Sequence, residues 1–280
     1  MIWHAVRLGL RRGLTETKHA FREPQEVFFT LFWSVSFLVV IYFQRDATIA
    51  GVSLAALTMP SLVTLGIAFN GLMGMVGGLS VEREDGTLLR AKSVPHGMVG
   101  YVIGKVVLIS LSSLSGSMVV LLPSLFMVSA LDSVGVAGWL GLFGILMLGL
   151  LATLPWGAVI GSFANSPQTA AGFSMLGLAG LAAISGIFYP ITSMPGWLQV
   201  VAQAFPPYWL GHGARAAVLP PDFAAAELTG AWRVEWAVLV LVLWAAAGFL
   251  IAPGVLRRMA RRESGSAMQA RRERAMQRVG

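Results

Sequence analysis

Six apolar runs, separated by short polar breaks, constrain this chain more than any other feature. They cover residues 26–43, 49–81, 99–130, 134–163, 168–188 and 232–256. A helix needs about 20 apolar residues to cross the hydrocarbon layer. In lipid the backbone must satisfy its own hydrogen bonds, which a helix does within one segment. Only 12% of the residues are charged, against about 25% in soluble domains. The expectation is an all-α membrane protein with six transmembrane helices. The second run is longer than one upright span, and Pro60 offers it a kink.

The segments outside these runs are not plain loops. In residues 1–23, Ile2, Trp3, Val6, Leu10, Leu14 and Phe21 share one helical arc, with Arg7, Arg11, Lys18 and Arg22 beside it and Leu8 off it. That is the pattern of an amphipathic helix lying in the membrane interface; the alternative is a loose basic tail. Residues 189–231 form the longest non-spanning stretch. Trp197, Leu198, Val201 and Phe205 recur at helical spacing after Pro195, until Pro206-Pro207-Tyr208-Trp209 breaks the pattern. Short re-entrant or interfacial helices between spans five and six are expected, since Trp and Tyr favour the interface; a loop with aromatic anchors is the alternative. His212 and Arg215 find no role at this level. Residues 257–280 form a tail with eight arginines.

Charge sets the orientation. With both termini in the cytoplasm, 17 of the 20 lysines and arginines fall inside and only Arg45, Arg215 and Arg233 outside, as the positive-inside rule requires.

The densest charge lies between the second and third runs, from Val81 to Lys105. Asp85 is placed to cap a short helix. Gly86, Thr87, Leu88, Leu89, Arg90, Ala91 and Lys92 fill about two turns, and Pro95 marks the end. Acids precede and bases follow, as the helix dipole favours. Leu88 and Leu89 give this element an apolar side in need of a partner. It reads as a short cytoplasmic helix that docks on another protein, or as a solvated spacer. Lys105 is expected to snorkel to the membrane surface. Asn70 stands in the second run beside Gly71, Gly74, Gly77 and Gly78. A hydrogen bond to a neighbouring helix is favoured for it over contact with cargo.

These residues also carry a resemblance. Glu82, Glu84, Gly86, Thr87 and Leu88, then Pro95, then Gly104-Lys105 at the start of the next run, resemble the ABC-2 family of ATP-driven export permeases. Ser185-Gly-Ile-Phe-Tyr-Pro190 followed by Pro195-Gly196-Trp197-Leu198 resembles that family's stretch between its fifth and sixth spans. The resemblance implies one ABC-2 transmembrane domain over residues 1–280. It implies a permease subunit paired with a second permease copy or paralogue and with two copies of a separate ABC ATPase, which binds ATP–Mg; this chain itself would bind no cofactor. Glu82, Arg83, Glu84, Asp85, Gly86, Thr87, Leu88, Leu89, Arg90 and Lys92 would form the helix seated in the ATPase. Tyr189, Pro190, Pro195, Gly196, Trp197 and Leu198 would belong to helices that cap the outer end of the pathway.

Other chemistries lack their residues. No Walker A motif is present, and Gly100 to Lys105 has the wrong spacing for one. His4, His19, His96 and His212 form no H-E-x-x-H pair, and Ala183-Ile-Ser185-Gly186 does not match the G-x-S-G of a rhomboid-like protease. The span centres hold almost no ionisable groups, unlike a proton-coupled carrier. The bases sit beside spans instead of forming a groove for nucleic acid. The expected function is outward movement of a hydrophobic or amphipathic cargo across a bacterial plasma membrane. Drug or antibiotic efflux, similar to the daunorubicin-resistance permeases, comes first and lipid or glycolipid export second. A non-transporting membrane assembly subunit is the alternative of another class.

Overall fold

The computed structural model describes residues 2–49, 52–94, 96–163 and 167–262. Within them lie α1 (Ile2–Ala20), α2 (Pro24–Gln44), α3 (Leu54–Glu84), α4 (Thr87–Lys92), α5 (Gly97–Ser124), α6 (Val136–Phe163), α7 (Pro167–Ile184), α8 (Gly196–Ala204), α9 (Pro206–Val218) and α10 (Val234–Arg262). The only strand pairing among them is a two-residue ladder that closes the α2–α3 turn, Thr48 with Ser53 and Ile49 with Val52.

Among the described residues five helices, α2, α3, α5, α6 and α10, are long and apolar enough to cross a membrane. The expected fifth span is shorter than the rest. At 18 residues α7 is about 27 Å long, and it stops at Ile184 because Gly186 turns the chain with φ +73°. A side chain at Gly186 would also meet Ile191 Cβ at 3.1 Å. The third span stops at Ser124, just past Pro123, short of the expected residue 130. The sixth runs on to Arg262, so residues 257–262 of the expected tail continue a helix. Pro95 and the tail from residue 263 lie outside the described residues.

Contacts fix the chain direction. The last turn of α3 meets the last turn of α6 where Arg83 reaches the Gly161 and Ser162 carbonyls, and Leu88 of α4 packs on Met259 of α10. At the other end Arg215 of α9 reaches Ser61 of α3. The bundle therefore has an α4 end and an α9 end.

The core lies around α9. Tyr208, Leu210 and His212 are essentially inaccessible and pack among Leu62, Ile67, Leu146 and Leu241. Glycines let the backbones approach: a Cβ at Gly149 would sit 2.7 Å from Leu210, and one at Gly213 2.8 Å from Ile145. The stretch expected to hold only interfacial or re-entrant helices thus divides. Trp197 and Val200 of α8 stay exposed, while α9 is inserted into the bundle.

Candidate functional site

The densely charged segment folds differently from its sequence reading. Glu82, Arg83 and Glu84 are the last turn of α3, not part of a separate helix. The break falls at Asp85-Gly86, where Gly86 takes φ 80°. Asp85 Oδ1 accepts the Thr87 N–H at 2.7 Å, which starts α4. Leu88 is buried against Leu79, Tyr101 and Met259, so it fills a cleft in its own chain and is closed to a partner; Leu89 is half-buried. Arg83 Nη1 donates to the Ser162 carbonyl at 3.3 Å, satisfying a free carbonyl at the end of α6. Asp85, Arg90 and Lys92 face solvent.

Glu82 also points inward. Its Oε1 accepts from Arg12 Nη2 and from Lys105 Nζ, each at 3.1 Å. Arg12 Nε donates to Glu16 Oε1 at 2.6 Å, and Lys105 Nζ lies 3.8 Å from Glu16 Oε2. Two cations and two carboxylates from α1, α3 and α5 balance one another, as buried charges require. Lys105 does not snorkel outward: it is 8% exposed and runs past Gly78, where a Cβ would come within 3.4 Å of Nζ.

Two pairs of glycines bring α1 into this cluster. A Cβ at Gly9 would lie 2.6 Å from the Gly100 carbonyl oxygen, and one at Gly13 2.7 Å from that of Gly104. Both helices carry a G-x-x-x-G on the facing side, the arrangement that permits close backbone crossing. The signal was present in the sequence. One half lies in the segment expected to be an interfacial helix, and the other overlaps the Gly100 to Lys105 stretch. With its small face on α5, α1 turns Trp3, Leu10, Leu14 and Phe21 outward.

A cavity of about 670 Å³ opens between α2, α3, α5 and α7. Its wall is aromatic, with Trp33 centred 6.3 Å from Phe37 and 6.4 Å from Phe69. Asn70 lines it and donates Nδ2 to the Gly66 carbonyl of its own helix at 3.0 Å. Among the described residues Asn70 makes no hydrogen bond to another helix, and its side chain lines the groove. Of the residues assigned to the outer gate, Tyr189 lines this groove and Pro190 a small neighbouring cleft. Pro195, Gly196, Trp197 and Leu198 line neither.

A second buried network was missed by sequence reasoning. Arg215 Nε donates to Glu227 Oε1 at 2.7 Å, and Arg215 Nη1 to Ser61 Oγ at 2.6 Å. His212 Nε2 accepts the Arg233 backbone N–H at 2.9 Å, so Nδ1 carries the proton toward Glu227 Oε2, 2.8 Å away. Burial pushes the Glu227 carboxyl up. The Arg215 charge, with hydrogen bonds from His212 and Arg215, outweighs burial and holds the group near 2. His212 and Arg215 stand out as polar residues within an apolar stretch, but their partner is 12 to 15 residues away. Only the fold joins them.

Comparison with curated proteins finds no match. The family described as ABC-2 type transporter matches residues 15–219, close to three quarters of the chain. The match takes in Glu16, Glu82 and Lys105 of the charged cluster, the groove and α9, while Arg12 lies just before it. The chain therefore belongs to the ABC-2 type transporter family, as a multi-pass membrane permease subunit of an ABC-type transporter.

Proposed function

We propose that this permease exports a hydrophobic or amphipathic molecule, with drug or antibiotic efflux favoured over lipid export, from the inside of a bacterial plasma membrane. In this reading α7 supplies the sixth crossing and both termini are cytoplasmic, as the distribution of lysine and arginine favours. Two permease copies work with two ATPase subunits, which hydrolyse ATP–Mg. The observation that supports the reading best is the joint at the α4 end. Glu82 ties the base of α3 to α1 and α5, and Leu88 ties α4 to α5 and α10. A push on α4 from outside the membrane would move those helices together. Asp85, Arg90 and Lys92 are the residues that present charge to the ATPase.

Expression with candidate ATPase subunits, followed by affinity purification and a nucleotide hydrolysis assay, tests this. The expected result is a co-purifying ATPase whose turnover responds to hydrophobic compounds. Arg90→Glu with Lys92→Glu should release the ATPase while the permease stays folded. Normal transport in that double variant would remove α4 from the coupling path. A chain that purifies alone in several mild detergents would favour the assembly-subunit reading.

A further inference from the structure

The groove between α2, α3, α5 and α7 carries a single charged side chain. Of the residues that line it, only Glu26 is acidic or basic. Glu26 stands in the first turn of α2, and among the described residues it makes no ion pair. Phe29, Trp33 and Phe37 follow it at helical spacing on the same wall, and Phe69 faces them from α3. The remaining polar lining is neutral. Ser113 Oγ is buried and lacks a hydrogen-bond partner. The bond from Asn70 to Gly66 uses one of its two amide N–H donors and leaves its carbonyl oxygen as an acceptor.

The charged and aromatic elements of this wall favour the same sign. Aromatic faces present the negative part of their quadrupole and attract cations. The carboxylate does the same at longer range, and no basic side chain in the lining opposes it. We propose that the groove selects amphipathic cargo bearing one positive charge, held between Glu26 and the Trp33 ring, with its apolar body along Phe37 and Phe69. The assignment rests on the groove being the path of the cargo, and it adds the charge that cargo carries. A second copy of this chain is the competing occupant.

Three probes of similar size separate these cases: tetraphenylphosphonium, neutral triphenylphosphine oxide and tetraphenylborate. Binding is measured by equilibrium dialysis against the purified full chain in uncharged detergent. The cation is expected to bind about tenfold more tightly than the anion, as one exposed ion pair and one cation–π contact together imply. Glu26→Gln should bring the two within about threefold, the share left to the Trp33 ring, and leave the neutral probe unchanged. Trp33→Ala should weaken all three. Equal binding of cation and anion, or a preference undiminished in Glu26→Gln, would overturn the proposal while neutral binding kept the groove as a cargo path. If no probe binds, and Phe69→Cys (in a chain with no other cysteine) cross-links two copies, both the proposal and the cargo path fail.

Discussion

Glu82 Oε1 lies 3.1 Å from Lys105 Nζ, and both residues are only 8% exposed. The family motif to which Glu82 belongs reads as a partner-facing helix, but this carboxylate closes an internal joint. Removing one member of a buried pair strands the other, at a typical cost of about 3 kcal/mol. Glu82→Gln and Lys105→Gln should each lower the melting temperature of the purified protein. The double variant should cost less than the two singles summed, by at least about 1 kcal/mol in a double-mutant cycle. Additive losses would mean that the two side chains stabilise the protein independently.

The glycine crossing makes a sharper steric demand. A side chain at Gly13 would meet the Gly104 carbonyl oxygen at 2.7 Å, and that is backbone, which cannot swing aside. Gly13→Val should lift α1 off α5 and destabilise by about 1–3 kcal/mol. The melting temperature of the purified variant should fall accordingly. Gly77→Ala is the control, because no atom lies within 4 Å of a Cβ there. An unchanged melting temperature in Gly13→Val would show that the crossing tolerates the added bulk.

Helix identity was legible because hydropathy runs and turn residues act locally. Asp85 starts α4 and Gly86 breaks the chain for reasons that three or four residues contain. What was misread is the direction in which charged residues face. Glu82 and Lys105 look like surface groups in sequence, since nothing local names Arg12 and Glu16 as their partners. The same limit hid α9. Pro206 and Pro207 sit in the first turn of a helix, where the missing N–H costs nothing, and they were read as breakers. Its burial depends on Gly149 and Gly213 meeting side chains far away in sequence. Asn70 failed differently: its own helix supplied the acceptor, at Gly66, so no neighbouring helix was needed.

Acid should loosen the α9 end. The Glu227 carboxyl is held near 2 in the folded protein against an ordinary 4.5. A depressed carboxylate contributes stability that is fully present above 4.5 and is lost as pH falls toward 2. The contribution is on the order of 3 kcal/mol. Melting temperature should therefore drop between pH 4.5 and 2 more steeply in the native chain than in Glu227→Gln. The variant should be less stable at pH 7, because Arg215 loses its counter-charge in a buried site. Parallel pH profiles for the two proteins would show that Glu227 is not the titrating group.

The two sides of α4 should separate folding from docking. Leu88 is 1% exposed against Leu79, Tyr101 and Met259. Its truncation to alanine removes a filled contact and should cost about 2–4 kcal/mol. Arg90 is exposed and, among the described residues, its guanidinium donates to Thr87 Oγ1 of its own helix at 3.0 Å, so Arg90→Glu should change stability by less than about 0.5 kcal/mol. If α4 is the ATPase contact, the order reverses in a retention assay. Arg90→Glu should lose the ATPase from a stable permease, whereas Leu88→Ala should retain it at temperatures where the fold survives. Thermal melts and co-purification on the same two variants give both readings. Loss of the ATPase in Leu88→Ala alone, with Arg90→Glu intact, would place the contact elsewhere and leave α4 as an internal brace between α3 and α5.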